Sequence, residues 1–392
     1  MKKVLLASTA IVGGALMASS AAMAGNVTSG DNYSIRLGGI HRFMIGQYSK
    51  DQSTAAGRGY AFISPFSEVW VKAKATADNG LTYGVDIEIE TRGDAGFVAD
   101  EVWAYVDSDQ WGRVEMGDQD GAANRMKIAG NNALKAMGGY FGGLGTWQFA
   151  TIGAANFGGE GMIARSDWFE SVAGSGDDTK LIYFTPRFAG FQLGASLTPD
   201  TNVNGRNGGA TDNDGGINNL WEIGANYVGK YDDFGFIVAT TYSTSSDTDG
   251  AVVAGTSNTK FEDFEYWTVG AQVSFGGFKV AAGYQDHNES GISTAAATAG
   301  TDAGEVWNVG VGYTTGPWGV SLGYFEGERD VAGQSAASVT DIVLGAQYAV
   351  APGWTMMGEL SFYEHKNPST AFANGATTAD SQIFVLTNQF VF

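Results

Sequence analysis

From residue 215 onward the chain repeats one pattern in four blocks: LWEIGANYVGKYDDFGFIVATTYS, YWTVGAQVSFGGFKVAAGYQ, VWNVGVGYTTGPWGVSLGYFEG and DIVLGAQYAVAPGWTMMGELSFYE. Each keeps an apolar-x-Gly-apolar-x-aromatic rhythm. Within one block, Trp267, Val269, Ala271, Val273 and Phe275 alternate with Thr268, Gly270, Gln272 and Ser274. A period of two is the signature of a strand, so each block reads as a hairpin. The turns inside the hairpins are short (Lys230 to Asp233, Gly276-Gly277, Gly316-Pro317, Ala351 to Gly353). The links between hairpins are long, polar and rich in Gly, Asp, Asn and Thr. Short turns at one end and long loops at the other are the asymmetry of a membrane-spanning β-barrel.

The same reading toward the N-terminus places strands near residues 33–48, 66–78, 81–92, 100–108, 112–118, 179–186 and 190–199, with a last strand at 380–392. The predicted fold is therefore all-β, a transmembrane antiparallel barrel of about 16 strands, a number that leaves an aqueous channel where about eight strands would fill with side chains. One connection stands out. The stretch from Asp118 to Thr179 is far longer than an ordinary link, which marks it as functional. Its first half, Ala122 to Met137, suits a short helix, and its middle carries Tyr140, Phe141, Leu144, Trp147, Phe149, Ile152 and Phe157. Those groups are too apolar to hang in water, so the loop is expected to fold inward against the barrel wall.

The first 24 residues read as a cleaved leader: Lys2 and Lys3, an apolar run from Val4 to Met17, then Ala22-Met23-Ala24, a small-residue cleavage pattern. Residues 25–392 then form one barrel domain, with 118–179 as its constriction loop. No later stretch reaches the roughly 18 consecutive apolar residues of a spanning helix. A mean hydropathy of −0.09 is what alternating lipid-facing and lumen-facing residues produce. With no cysteine in an exported chain, disulfides cannot hold it, whereas a closed barrel pairs every backbone group. Its 58 glycines against 6 prolines suit bends and tight turns. Removing Lys2 and Lys3 leaves 20 basic against 42 acidic residues, a formal charge of −22. Nucleic acid is thereby excluded as a partner. So many acids read either as solvated loops or as divalent-cation binding with a cation-favouring pore.

TKLIYFTPRFAGFQLGASLTP, residues 179–199, resembles a strand-turn-strand signature of the general diffusion porins of Gram-negative bacteria in its Tyr183, Pro186, Gly190 and Phe191. The last strand, DSQIFVLTNQFVF, ends in Phe392, with Phe384, Leu386 and Phe390 on one face and Asn388 interrupting the series. It resembles the C-terminal assembly signal of outer-membrane barrels. Strand order, long third loop and terminal Phe extend the resemblance over the mature chain, in a form similar to alphaproteobacterial porins. It implies an outer-membrane homotrimer of 16-stranded barrels, set in outer-membrane lipid and lipopolysaccharide, each passing small hydrophilic solutes and ions through a pore narrowed by the third loop. The loop is longer here than the family leads one to expect.

Parity assigns the lining. If Ile35, Leu37, Phe43 and Ile45 face lipid, Arg36 and Arg42 face the lumen. Outward Val69, Val71, Ala73 and Ala75 put Lys72 and Lys74 inside, and outward Leu81, Tyr83, Val85, Ile87 and Ile89 put Asp86, Glu88, Glu90 and Arg92 inside. A charge on the lipid face costs about 2 to 4 kcal/mol at mid-membrane, which favours the same assignment. The resemblance implies a basic wall, Arg36, Arg42, Lys72, Lys74 and Arg92, opposed to acids of the third loop, Glu160, Asp167 and Glu170. The alternative is simple charge pairing within the lumen.

Trp221, Tyr266, Trp267, Trp307, Trp318 and Trp354 lie near strand ends, as interfacial aromatic girdles would. D-x-D-G occurs at Asp118 and Asp120, at Asp212 and Asp214, and at Asp247 and Asp249. Such oxygen-rich turns suit calcium, but none continues to the Glu of a calcium-binding loop, and ordinary turn chemistry explains them as well. No cofactor is required. His41 falls on the lipid-facing parity, His287 and His365 lie at strand ends, and no Ser or Cys completes a hydrolytic set with them. Three rival readings remain: a secreted soluble β-propeller or sandwich that binds carbohydrate, an outer-membrane hydrolase, and a sugar-selective channel guided by Tyr140, Phe141 and Trp147.

Overall fold

A computed structural model describes residues 25–29, 32–50, 59–91, 97–139, 175–201, 217–245, 261–290, 292–366 and 377–392. Seventeen strands follow in order: β1 (Gly25–Ser29), β2 (Tyr33–Lys50), β3 (Tyr60–Thr76), β4 (Thr82–Thr91), β5 (Phe97–Ser108), β6 (Gly112–Asp118), β7 (Thr179–Phe184), β8 (Phe191–Asp200) and β9 (Asn218–Tyr231). The series continues with β10 (Phe234–Ser245), β11 (Phe264–Phe275), β12 (Phe278–Asp286), β13 (Glu305–Thr315), β14 (Trp318–Arg329), β15 (Ala337–Ala351), β16 (Trp354–Lys366) and β17 (Thr378–Val391). Strands β2 to β17 pair antiparallel in sequence order, and β17 pairs back to β2, closing a barrel of sixteen strands. Closure leaves no edge to satisfy.

The seam is shared. Residues Ile40 to Lys50 of β2 pair with β17, and Ser34 to Leu37 pair with β1, so β1 and β17 complete one side of β2 between them. At the junction Gly39 exchanges backbone hydrogen bonds with Phe392, at 2.8 and 3.0 Å. A Cβ on Gly39 would lie 2.7 Å from the Phe392 ring, so the terminal aromatic packs where only glycine fits. β1 lacks the apolar alternation that marks the other strands, and the sequence reading did not find it.

The alternation sorts as expected. Leu37, Phe43, Ile45, Val85, Val102, Met116, Ile223, Val269, Val311, Leu344 and Phe384 are exposed on the outer face. Their neighbours in sequence face inward. Aromatics pair across neighbouring strands near the short-turn end: Phe191 with Tyr227 at 4.8 Å, Phe278 with Tyr313 at 4.4 Å, Trp318 with Tyr348 at 4.4 Å and Trp354 with Phe390 at 5.7 Å. Trp267 with Tyr284 and Trp307 with Tyr324 do the same near the long-loop end. These are the two girdles. Asn388 keeps its place on the outer face by accepting a hydrogen bond from Trp354 Nε1 at 3.2 Å.

Tyr266 is a correction. It is 0% exposed and points inward, packed with Ala123, Leu220 and Phe264 and stacked on His287. In a strand of period two, Tyr266 and Trp267 cannot both face lipid. On the outer belt, Leu344→Arg is expected to destabilise the barrel by about 2 to 4 kcal/mol, whereas Gln272→Arg on the lumen side should cost far less. Denaturant titration in lipid vesicles measures both.

Candidate functional site: the pore lining

The third loop leaves β6 at Asp118 and returns to β7 at Thr179, and its described first part, 119–139, runs along the inner wall. It begins with the short helix α1 (Ala122–Met126), followed by a 3-10 turn at Gly130–Ala133, where the sequence led one to expect a single helix. Ala122 N–H donates to Ser196 Oγ of β8 at 3.0 Å. Met126 fills the space over Gly194 of β8 and Gly224 of β9, where a Cβ would come within 2.6 and 2.8 Å of its sulfur. Ile128 packs on Ile237 and Ala239 of β10, and its carbonyl lies over Gly270 of β11. Gly130 N–H donates to Asn308 Oδ1 of β13 at 2.5 Å, with the Gly130 and Ala133 carbonyls over Gly310 and Gly312. Lys135 N–H then meets Ser321 Oγ of β14 at 2.8 Å, Ala136 N–H meets Gln347 Oε1 of β15 at 3.2 Å, and Gly139 N–H meets Glu359 Oε2 of β16 at 2.9 Å.

The inward glycines thus form a row of seats for loop backbone. They are the Gly of the apolar-x-Gly-apolar rhythm, whose purpose the sequence alone did not disclose. The loop's orphan backbone groups are met by inward Ser, Asn, Gln and Glu side chains, as buried backbone requires. The aromatic-rich middle of the loop, 140–174, lies outside the described residues.

Segment 119–139 crosses the wall from β7 to β16, and Arg125 turns back from it to Glu115 of β6. On β3 to β6 the register turns Glu68, Asp86, Glu88, Glu90, Glu101, Asp107 and Glu115 inward, with Lys72, Lys74 and Arg113 among them. Lys72 Nζ lies 2.8 Å from Glu88 Oε1 and 3.5 Å from Asp86 Oδ2. Arg36 sits opposite Lys72 in the β2–β3 ladder, and Lys74 opposite Ser34. Arg42 is only 5% exposed and donates from Nε to Gln389 Oε1 at 2.8 Å. The structure therefore brings Arg36, Lys72 and Lys74 together on one wall and holds Arg42 in the seam. Arg92, Glu160, Asp167 and Glu170 lie outside the described residues, as do Asp212, Asp214, Asp247 and Asp249.

Residues missed in the sequence make up a buried, doubly paired charge group. Glu115 is 0% exposed and lies between the guanidiniums of Arg113 and Arg125, both of which donate to it. Arg113 also lies 3.9 Å from the Tyr105 ring centroid and 5.5 Å from that of Trp103, and Arg125 lies 4.8 Å from that of Phe184. Parity of β5 and β6 was the available signal: Glu101, Trp103, Tyr105 and Asp107 alternate with Val102, Ala104 and Val106. Between 121 and 139 the loop carries Arg125, Lys127 and Lys135 and no carboxylate.

At the base of the loop, Asp118 accepts a hydrogen bond from the Thr179 hydroxyl. Among the described residues, no group of three or more His, Asp or Glu is placed to hold a metal ion. His287 is buried and bonded to Gln285, and burial pushes its ring down to about 3, so it stays neutral. Burial pushes the Asp178 carboxyl up to about 7, with Asp177, Asp200 and Asp118 adding repulsion and Lys180 opposing it. A carboxyl that binds its proton more tightly in the folded chain contributes stability present below the ordinary value of 3.8 and lost as pH rises through about 7. Hydrogen exchange at residues 175–178, corrected for intrinsic rates, is expected to quicken between about pH 5 and pH 8, and Asp178→Asn should remove that change.

The model of a family described as Gram-negative porin matches residues 7–368. An uncharacterised protein of Rickettsia prowazekii (strain Madrid E) is 24% identical over 313 residues, 65% of this chain and 68% of that protein. An anion-selective porin from Comamonas acidovorans superposes with a TM-score of 0.58 at 16% identity, covering 92% of this chain and all of the other. The trimer form of OmpT, an outer-membrane protein of Vibrio cholerae, does so with a TM-score of 0.60 at 12% identity over 92% of this chain and all of the other. A mutant of the Rhodopseudomonas blastica porin gives 0.54 at 16% identity over 91% of this chain and all of the other. With a family match over most of its length and a closed sixteen-strand barrel, the chain belongs to the Gram-negative porin family, an outer-membrane diffusion channel.

Proposed function

We propose that this channel passes small hydrophilic solutes and ions passively, favours cations mildly, and works as a homotrimer in contact with lipopolysaccharide. The observation that carries the selectivity is the inner face of β3 to β6, where six carboxylates besides the arginine-held Glu115 stand among Lys72, Lys74 and Arg113. Fixed negative charge in a cleft with low-dielectric walls concentrates counter-ions and repels co-ions. The other cations of the loop, Lys127 and Lys135, supply the opposite pole of a transverse field, which orders water and dipolar solutes and hinders apolar ones. The trimer form recorded for the Vibrio cholerae protein supports the assembly. Calcium binding at the Asp212–Asp214 and Asp247–Asp249 turns belongs to the proposal.

A second reading, an anion-preferring pore, is favoured by those same loop cations and by the anion-selective neighbour. The reversal potential of the reconstituted channel under a potassium chloride gradient separates the two. A potential of cation sign supports the acidic wall as the conducting side, and one of anion sign transfers that role to the loop.

A further inference from the structure

We propose that Lys180 positions the third loop in the pore: its ammonium sits, as a small monovalent cation would, in a cage of backbone carbonyls drawn from both ends of the loop. The side chain is 3% exposed. Its Nζ donates to the carbonyl of Gln119 on the outgoing strand of the loop. On the returning strand it reaches the carbonyls of Ser175 at 3.2 Å, Gly176 at 2.7 Å and Asp178 at 2.6 Å. An ammonium has three donors, so four carbonyls share them and none of its hydrogen-bonding capacity is left for water.

The cage is built rather than incidental. Ser175 to Asp178 close a turn through a 3.0 Å backbone bond, and Gly176 takes a φ of 37°, the left-handed region that favours glycine. Beneath the cage lies Glu222 of β9, fully buried, which accepts from Ser196 Oγ at 2.6 Å and from Ser175 Oγ at 3.2 Å. Gly121 rests directly over the same carboxylate, and the next residue, Ala122, opens the glycine-seated path along the wall. Both ends of the loop are thus tied to one buried point. Without the ammonium, the carbonyls of Gln119, Gly176 and Asp178 would lose the donor that they share, and the route that starts at Gly121 would lose its anchor. The inference rests on the channel reading but not on its selectivity.

The test uses the full-length protein. Lys180→Met keeps the stem and removes the charge, and a folded Met variant, recognised by its heat-modifiable mobility on gels, is expected to close spontaneously more often. The increase should be at least about tenfold, the factor expected when charge-assisted hydrogen bonds to a buried ammonium are lost. Lys180→Ala with n-propylammonium in the bath restores the missing atoms, and the quiet parental trace should return with the amine and not with n-propanol. If the Met variant does not fold, the Ala variant should refold in n-propylammonium and not without it. A folded Met variant with a parental trace, or an Ala variant that the amine rescues in neither assay, overturns the proposal. A channel that conducts without ion preference would defeat the selectivity reading and leave this result unaffected.

Discussion

Gly270→Ala combined with Gly310→Ala is expected to unseat the third loop. A Cβ at Gly270 would collide with the Ile128 carbonyl, and one at Gly310 with the Gly130 carbonyl. Backbone atoms on the loop have no rotamer with which to escape, so segment 128–130 must lift from β11 and β13 toward the pore axis. Overpacking of this kind costs about 1 to 3 kcal/mol per site. The double variant should therefore melt earlier and conduct less per channel. Gly358→Ala is the control, because a Cβ there meets nothing within 4 Å. If single-channel conductance and melting both match the parent in the double variant, the loop does not rest on these glycines.

Glu88→Gln with Glu101→Gln is expected to lower cation preference, and Lys127→Gln with Lys135→Gln to raise it. A unit charge about 4 Å from a permeating ion is worth about 1 kcal/mol in water, roughly a fivefold factor in local concentration. Removing Glu88 also takes from Lys72 its nearest partner, at 2.8 Å, and so exposes a positive charge to the lumen. The first pair should shift the permeability ratio severalfold, and the second pair less, since Lys127 is already bonded to Asn124. Reversal potentials unchanged in both variants would remove these groups from the conducting path. Neutralising Arg42 is a poor probe by comparison, since its side chain is buried against Gln389 and its loss disturbs the seam.

Much of the fold is legible in the sequence. Period-two alternation separates Leu344 from Gly345 and Val269 from Gly270 without knowledge of the partner strand, because pleating alone sends successive side chains to opposite faces. The short and long connections oriented the barrel for the same local reason. What escaped depended on contacts far apart in sequence. Ala122 meets Ser196, Gly130 meets Asn308 and Gly139 meets Glu359, and no local pattern announces such pairings. Glycine at Gly194, Gly224, Gly270 and Gly310 was visible as a rhythm, but its cause is the backbone that lies on it. Arg113, Glu115 and Arg125 were likewise hidden, since Arg125 reaches Glu115 only once the loop has turned back over β6. The strand β1 has too little apolar character to be seen, and it pairs with Ser34 to Leu37 of β2, beyond the stretch from Ile40 to Lys50 that pairs with β17.

The acidic inner face of β3 to β6 is proposed to set what this pore passes. The most direct test is the reversal potential of purified, heat-modifiable protein in a planar bilayer with a potassium chloride gradient across it. The account predicts discrete conductance steps that close in threes and a potential of the sign carried by potassium. A potential of the opposite sign, or folded protein that never conducts, would contradict it.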